Sequence, residues 1–164
     1  MRYNGTNHLA MATGDMDATI RFWRDLLGLR LVANLGEAGY RHCFFENSPK
    51  DLIAFFEWPG LEPAKPKGHG APGKGPHVFE HVSLGVESEE ALRRLKAELE
   101  AAGFACSDMI DHGYSRSISA FDPNGIPIEF MWIVPGRNAR GEPKPGGTQS
   151  MPLARQDPAP QAGQ

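Results

Sequence analysis

Asn7-His8-Leu9-Ala10-Met11-Ala12 and, 73 residues further on, Glu80-His81-Val82-Ser83-Leu84-Gly85-Val86 share one pattern, a histidine followed by alternating apolar and small residues. Alternation of that period suits a half-buried strand, whose successive side chains point to opposite faces. Each stretch leads into a helix signal that closes on a glycine. In the first, Asp15 stands ready to cap, Ile20, Trp23 and Leu27 recur at i, i+3 and i+7, and Gly28 supplies the stop. In the second, Ser88 caps, Glu89 and Glu90 fill the first turn, where the helix dipole favours acids, and Leu92, Leu95 and Leu99 repeat the stripe up to Gly103.

Three strand signals follow each helix: Leu29 to Leu35, Tyr40 to Glu46 and Leu52 to Trp58 in the first half, then Ala105 to Ile110, Arg116 to Phe121 and Ile126 to Val134 in the second. The order β-α-β-β-β thus occurs twice. The histidines are 73 residues apart, and Pro49 and Pro123, which precede the fourth strands, are 74 apart, so duplication is the economical reading. Neither half can cover both faces of its strands alone. The expectation is an α+β fold in which two βαβββ modules form a cupped mixed sheet around a metal cavity. One domain, residues 1–134, holds module one (6–58), a Pro/Gly/Lys-rich linker (59–76) and module two (77–134). Residues 135–164 have no periodicity and read as a disordered Pro/Gly-rich tail.

The chain has 164 residues, 40% of them hydrophobic, which is enough for a core. A formal charge of -3 without a basic run speaks against nucleic acid as a partner. Apolar stretches are strand-length, far short of the roughly 20 residues that span a bilayer, so no membrane partner is expected and a cytoplasmic location is. Cys43 and Cys106 are too few for a disulfide framework and read as buried thiols.

His8 and His81 occupy equivalent strand positions, and a pseudo-twofold axis between modules would bring them together. Glu129 interrupts the apolar strand Ile126-Pro127-Ile128-Glu129-Phe130-Met131-Trp132, where a carboxylate needs a compensating charge. Two imidazoles and one carboxylate suit one divalent metal ion, Fe(II) or Mn(II) first, with Zn(II) and Ni(II) also compatible, and leave coordination positions open to a small-molecule substrate. Glu57 faces the same site if the halves are aligned on their prolines and turns away if aligned on their histidines. His112 and Tyr114, in the polar run before the strand Arg116 to Phe121, are candidate catalytic acids, bases or donors. His42 lines the same cavity or packs in the core. His69 and His77 receive no role.

These residues resemble the vicinal oxygen chelate superfamily of glyoxalase I, extradiol ring-cleaving dioxygenases, fosfomycin-resistance and bleomycin-resistance proteins. The resemblance runs from Asn7 to Val134 and rests on Asn7-His8-Leu9, Phe22-Trp23-Arg24-Asp25-Leu26-Leu27-Gly28-Leu29, Glu80-His81-Val82 and Asp122-Pro123-Asn124-Gly125-Ile126-Pro127-Ile128-Glu129-Phe130. It implies paired modules, a metal held by His8, His81 and Glu129, and a homodimer. Glyoxalase I enzymes carry a fourth ligand at the position that Ala54 best matches here. The three-ligand set resembles the extradiol dioxygenases, which place a tyrosine where this chain has Ser119. The leading expectation is a metal-dependent, dioxygenase-like oxidoreductase acting on a small oxygenated, aromatic substrate. A glyoxalase I-like lyase or isomerase, and a non-catalytic binding or resistance protein, are the alternatives.

Overall fold

A computed structural model describes residues 5–65 and 79–136. Most of the expected linker and tail, with His69 and His77, lies outside the described residues. The elements run β1 (His8–Thr13), α1 (Met16–Ile20), a π-helical segment (Arg21–Leu26), β2 (Arg30–Glu37), β3 (Tyr40–Ser48), β4 (Asp51–Glu57), β5 (Val82–Gly85), α2 (Glu89–Ala101), β6 (Ile110–Asp111), β7 (Ser115–Phe121) and β8 (Pro127–Ile133). They form two four-stranded mixed sheets of the same design, β1-β4-β3-β2 and β5-β8-β7-β6. In each sheet the first pair is parallel and the others antiparallel, so the repeated βαβββ order is a repeated topology.

Both expected caps form. The Asp15 Oδ1 accepts from the Ala18 N–H at 2.9 Å, and the Ser88 Oγ accepts from the Ala91 N–H at 3.0 Å. The first helix departs from the single α-helix expected. It widens after Ile20, and the Leu27 N–H reaches back five residues to the Phe22 carbonyl at 2.9 Å. The wider turn lets the neighbours Phe22 and Trp23 both enter the core. The sixth strand is shorter than the expected Ala105 to Ile110. At Ser107 a hydroxyl takes over part of the ladder, because its Oγ accepts from the Ser119 N–H at 2.9 Å while its own N–H donates to the Ser119 carbonyl. Regular pairing is left to Ile110 and Asp111.

One apolar core serves both modules. It includes Met16, Phe22, Trp23, Cys43, Phe45 and Phe55 from the first and Leu84, Leu92, Leu99, Ile118, Ile128 and Phe130 from the second. Phe22 packs edge-on against Phe104 with ring centroids 4.7 Å apart. A buried polar chain ties the modules as well. The Thr13 hydroxyl donates to the Asn124 Oδ1 at 2.7 Å, Asn124 Nδ2 donates to the Asp122 Oδ2 at 2.9 Å, and the Trp23 indole donates to the same oxygen at 3.2 Å. Among the described residues no helix is long and apolar enough to cross a membrane.

Strand register assigns the faces. In the first sheet Leu9, Met11, Cys43, Phe45, Ile53 and Phe55 look into the core, so the alternating His8, Ala10, His42, Phe44, Ala54 and Phe56 look outward. In the second, Leu84, Ile118, Ile128 and Phe130 look inward, while Ser83, Ser117, Ser119, Glu129 and Met131 look outward. The modules meet through their shared core, and the two outer faces point away from it.

Candidate metal centre

Glu129 sits in the middle of β8, flanked in register by Ser83 on β5 and Ser119 on β7. It is 5% exposed. No hydrogen-bond donor reaches its carboxylate among the described residues. Its neighbours are two imidazole nitrogens: His81 Nε2 lies 3.6 Å from Oε2, and His112 Nε2 lies 3.9 Å from Oε1. His81 immediately precedes β5, and strand alternation turns it to the outer face with Ser83. His112 is delivered by the tight β6–β7 connection, where the Asp111 Oδ1 accepts from the Gly113 N–H at 2.7 Å and Gly113 takes a φ of 86°, a left-handed value suited to glycine. Its Nε2 also lies 3.1 Å from the Ser117 hydroxyl. Tyr114 follows, with its ring centroid 6.3 Å from that of His112.

The donor chemistry fits a divalent cation. Nitrogen and oxygen ligands each about 2.1 Å from one ion lie about 3.0–3.4 Å from one another, slightly closer than the His81–Glu129 separation. Small side-chain rotations would close the difference, and an ion would compensate the buried carboxylate. Among the described residues, however, no three ligand-type side chains converge into a ready coordination group within one chain.

His8 is placed on β1, the edge strand of the other sheet, and is exposed. Its ring packs against Phe44, with centroids 5.9 Å apart. Its Nδ1 is 2.8 Å from the Asn7 side-chain oxygen, a contact that orients the ring and leaves Nε2 as the nitrogen available to a metal. His42 shares that outer face and stacks on Phe56 with centroids 3.6 Å apart. Its Nε2 is buried without a hydrogen-bond partner among the described residues. Burial, with His8 nearby, pushes its pKa below the ordinary imidazole value and favours the neutral ring. Stacked Phe56–Trp58 and Tyr40–Trp58 pairs extend the row of rings to the rim.

Glu57 is turned to the core side. Its carboxylate accepts from the Met16 N–H at 2.9 Å and from both Nε and Nη2 of Arg41 at 2.7 and 2.8 Å, and this guanidinium holds it below the usual carboxylate range. The register gives the reason. β1 pairs His8 with Leu52 and Ala10 with Ala54, so the β4 position matching Glu129 is Ala54, and Glu57 is an odd number of residues away from it.

The structure therefore gathers His81, His112 and Glu129 and leaves His8 with His42 on the first sheet. Sequence reasoning did not single out Ser115 and Ser117, or Phe44 and Phe56. The signal for the serines was there in Ser115-Arg116-Ser117-Ile118-Ser119, where serine recurs at every second position.

Comparison with known proteins agrees with this architecture. Residues 5–130 match the family model described as Glyoxalase/Bleomycin resistance protein/Dioxygenase superfamily. The putative ring-cleaving dioxygenase MhqE of Bacillus subtilis (strain 168) is 27% identical over 139 residues, covering 80% of this chain and 42% of that protein. MhqA of the same organism, also named a putative ring-cleaving dioxygenase, is 28% identical over 106 residues, covering 61% of this chain and 31% of that one. The chain thus spans less than half the length of these curated relatives. The crystal structure of a glyoxylase/bleomycin resistance protein/dioxygenase domain from Frankia sp. EAN1pec superposes with a TM-score of 0.67 at 19% identity, covering 81% of this chain and all (100%) of that one, a likeness of fold. Proteins of this family usually bind a divalent metal. With the family model spanning both sheets and the repeated βαβββ topology in place, the chain belongs to the Glyoxalase/Bleomycin resistance protein/Dioxygenase superfamily.

Proposed function

We propose that this protein is a metal-dependent enzyme of the superfamily, most like an extradiol-type dioxygenase, acting in the cytoplasm on a small aromatic molecule with adjacent oxygens rather than on a nucleic acid or a membrane. The observation that carries this reading is Glu129, a buried carboxylate with no hydrogen-bond donor among the described residues and two imidazole nitrogens facing it. His81 and Glu129 are two of the metal ligands, and His8 of a second copy is the third. His8 and His81 lie at the edge strands of separate sheets, β1 and β5, so a twofold dimer that set one copy's first sheet against the other's second would complete the site. Fe(II) or Mn(II) is the favoured ion, and when bound it would polarise and orient a substrate held through adjacent oxygens.

The remaining roles fall to this chain's own groups. His112, linked to the Ser117 hydroxyl, holds or moves a proton at a substrate oxygen, and Tyr114 beside it supplies a further donor. The ring-lined face around His42, Phe44 and Phe56 suits a flat aromatic ligand and keeps water from it. The similarity to the two putative ring-cleaving dioxygenases supports the same class of chemistry. The engagement of Glu57 by Arg41 and Met16 weighs against a glyoxalase-like site with a fourth carboxylate ligand.

The test is metal analysis of purified protein with oxygen uptake on a panel of catechols. About one Fe(II) or Mn(II) per chain, lost in His81→Ala and Glu129→Gln, together with diol-dependent oxygen consumption, is expected. Unchanged metal content in His81→Ala would refute the site. Hemithioacetal turnover would replace this reading with a glyoxalase-like one, and tight ligand binding without metal with a sequestering role.

A further inference from the structure

Ser115, Ser117 and Ser119 alternate along β7, opposite Ile133, Met131 and Glu129 on β8. The register puts all three hydroxyls on the outer face that carries the carboxylate. They are 0%, 0% and 7% exposed. Ser117 is engaged by His112 at 3.1 Å. Among the described residues, Ser119 Oγ and Ser115 Oγ are buried with no hydrogen-bond partner. A buried hydroxyl without a partner is unfavourable and is rarely kept in a folded protein, so two on one strand beside a candidate metal site call for a ligand that satisfies them. Side chains two apart on a strand are about 6.8 Å apart, so Ser119 is the hydroxyl within reach of a single ring held at Glu129, and Ser115 extends the track outward.

The charge on this face narrows the ligand. Arg116, the cation within the serine run, falls on the opposite side of β7 and binds Glu89 at the start of α2, with Asp111 as a second partner at 3.8 Å. The other basic side chains among the described residues of the second module, Arg93, Arg94 and Lys96, are on α2. No lysine or arginine among these residues faces the outer side of the sheet. The charge of a bound divalent ion would be met by Glu129 and by the chelating oxygens, so a further carboxylate or phosphate on the ligand would give up its hydration there with no lysine or arginine of this module to face it, whereas a neutral hydroxyl would meet a neutral hydroxyl.

We propose that Ser119 is a specificity-determining contact of the site and that it selects an uncharged ring substrate bearing a further hydroxyl beside the chelating pair over one bearing a carboxylate or phosphate. The inference rests on the reading of His81 and Glu129 as metal ligands.

The test is anaerobic binding to full-length protein loaded with Mn(II), read by quenching of tryptophan fluorescence, with metal content measured on every sample. Catechol, pyrogallol and protocatechuate are the probes. Pyrogallol is expected to bind about 3- to 10-fold tighter than catechol, the worth of one hydrogen bond, and protocatechuate weaker than either. Ser119→Ala should bring pyrogallol to the level of catechol at unchanged metal content, and Ser119→Thr, which keeps the hydroxyl, should retain the preference. Protocatechuate binding as tightly as pyrogallol, a preference that survives Ser119→Ala, or no diol binding by metal-loaded protein would overturn the proposal. Failure to take up metal would instead overturn the reading of the site on which it rests.

Discussion

Removing the Asp122 carboxylate by Asp122→Ala probes the polar tie between the modules. Asp122 is 4% exposed and accepts four hydrogen bonds: from the Asn124 and Ile126 N–H groups at 2.8 and 2.9 Å, from Asn124 Nδ2 at 2.9 Å and from the Trp23 indole at 3.2 Å. Bonds to a charged acceptor contribute about 1.5–3 kcal/mol each, so about 6–12 kcal/mol of gross interaction is lost. Part of that is returned, because the variant no longer buries a charge that lacks a cation, a cost of several kcal/mol. The expected net loss is about 3–5 kcal/mol, a large share of the roughly 5–15 kcal/mol that holds a domain folded. Asp122→Asn keeps one oxygen for the two backbone donors but turns an amide toward Trp23 and Asn124, and should cost about 1–3 kcal/mol. Burial outweighs these donors and pushes the Asp122 carboxyl up. A raised folded-state pKa means that its contribution is greatest in acid and declines as the pH rises from the ordinary carboxylate value through the raised one. Urea denaturation followed by tryptophan fluorescence and circular dichroism measures all of this. A loss below about 1 kcal/mol for Asp122→Ala would refute the claim that this network fastens the modules.

Glu57 predicts the opposite pH behaviour. Its carboxyl is lowered by Arg41, so its contribution is full above the ordinary carboxylate pKa and is lost as the pH falls through its own. Glu57→Gln should cost about 1–2 kcal/mol at neutral pH, and the gap to wild type should narrow in denaturation curves taken at pH values falling below the ordinary carboxylate range. Gly125→Ala should cost about 1–3 kcal/mol by the same assay, because Gly125 has a φ of 75° and an added Cβ would run into the Ala64 carbonyl oxygen of the segment that crosses it. His8→Ala and His81→Ala should each lose metal. Refolded together, they should regain about a quarter of the wild-type sites, because half the dimers are hybrids with one intact site each; no recovery would refute a site shared between copies.

The sequence by itself determined the duplication, because cap residues, helix stripes, terminal glycines and strand alternation are local signals, and these recur in both halves. It also marked Glu129, since a carboxylate inside an apolar strand is conspicuous without any structure. The π-helical widening after Ile20 was not legible, because it arises from packing Phe22 and Trp23 against the second module. Nor was the face of Glu57. A one-residue change of register flips every side chain, and only the pairing of β1 with β4 set Ala54 rather than Glu57 in the position that matches Glu129. Tertiary structure alone decided that His112 approaches the carboxylate while His8 stays on the other sheet. A pseudo-twofold relation between sequence halves says which residues are equivalent, but which faces meet depends on where the core lies. Here the modules spend their apolar faces on each other, and the candidate ligands are turned outward.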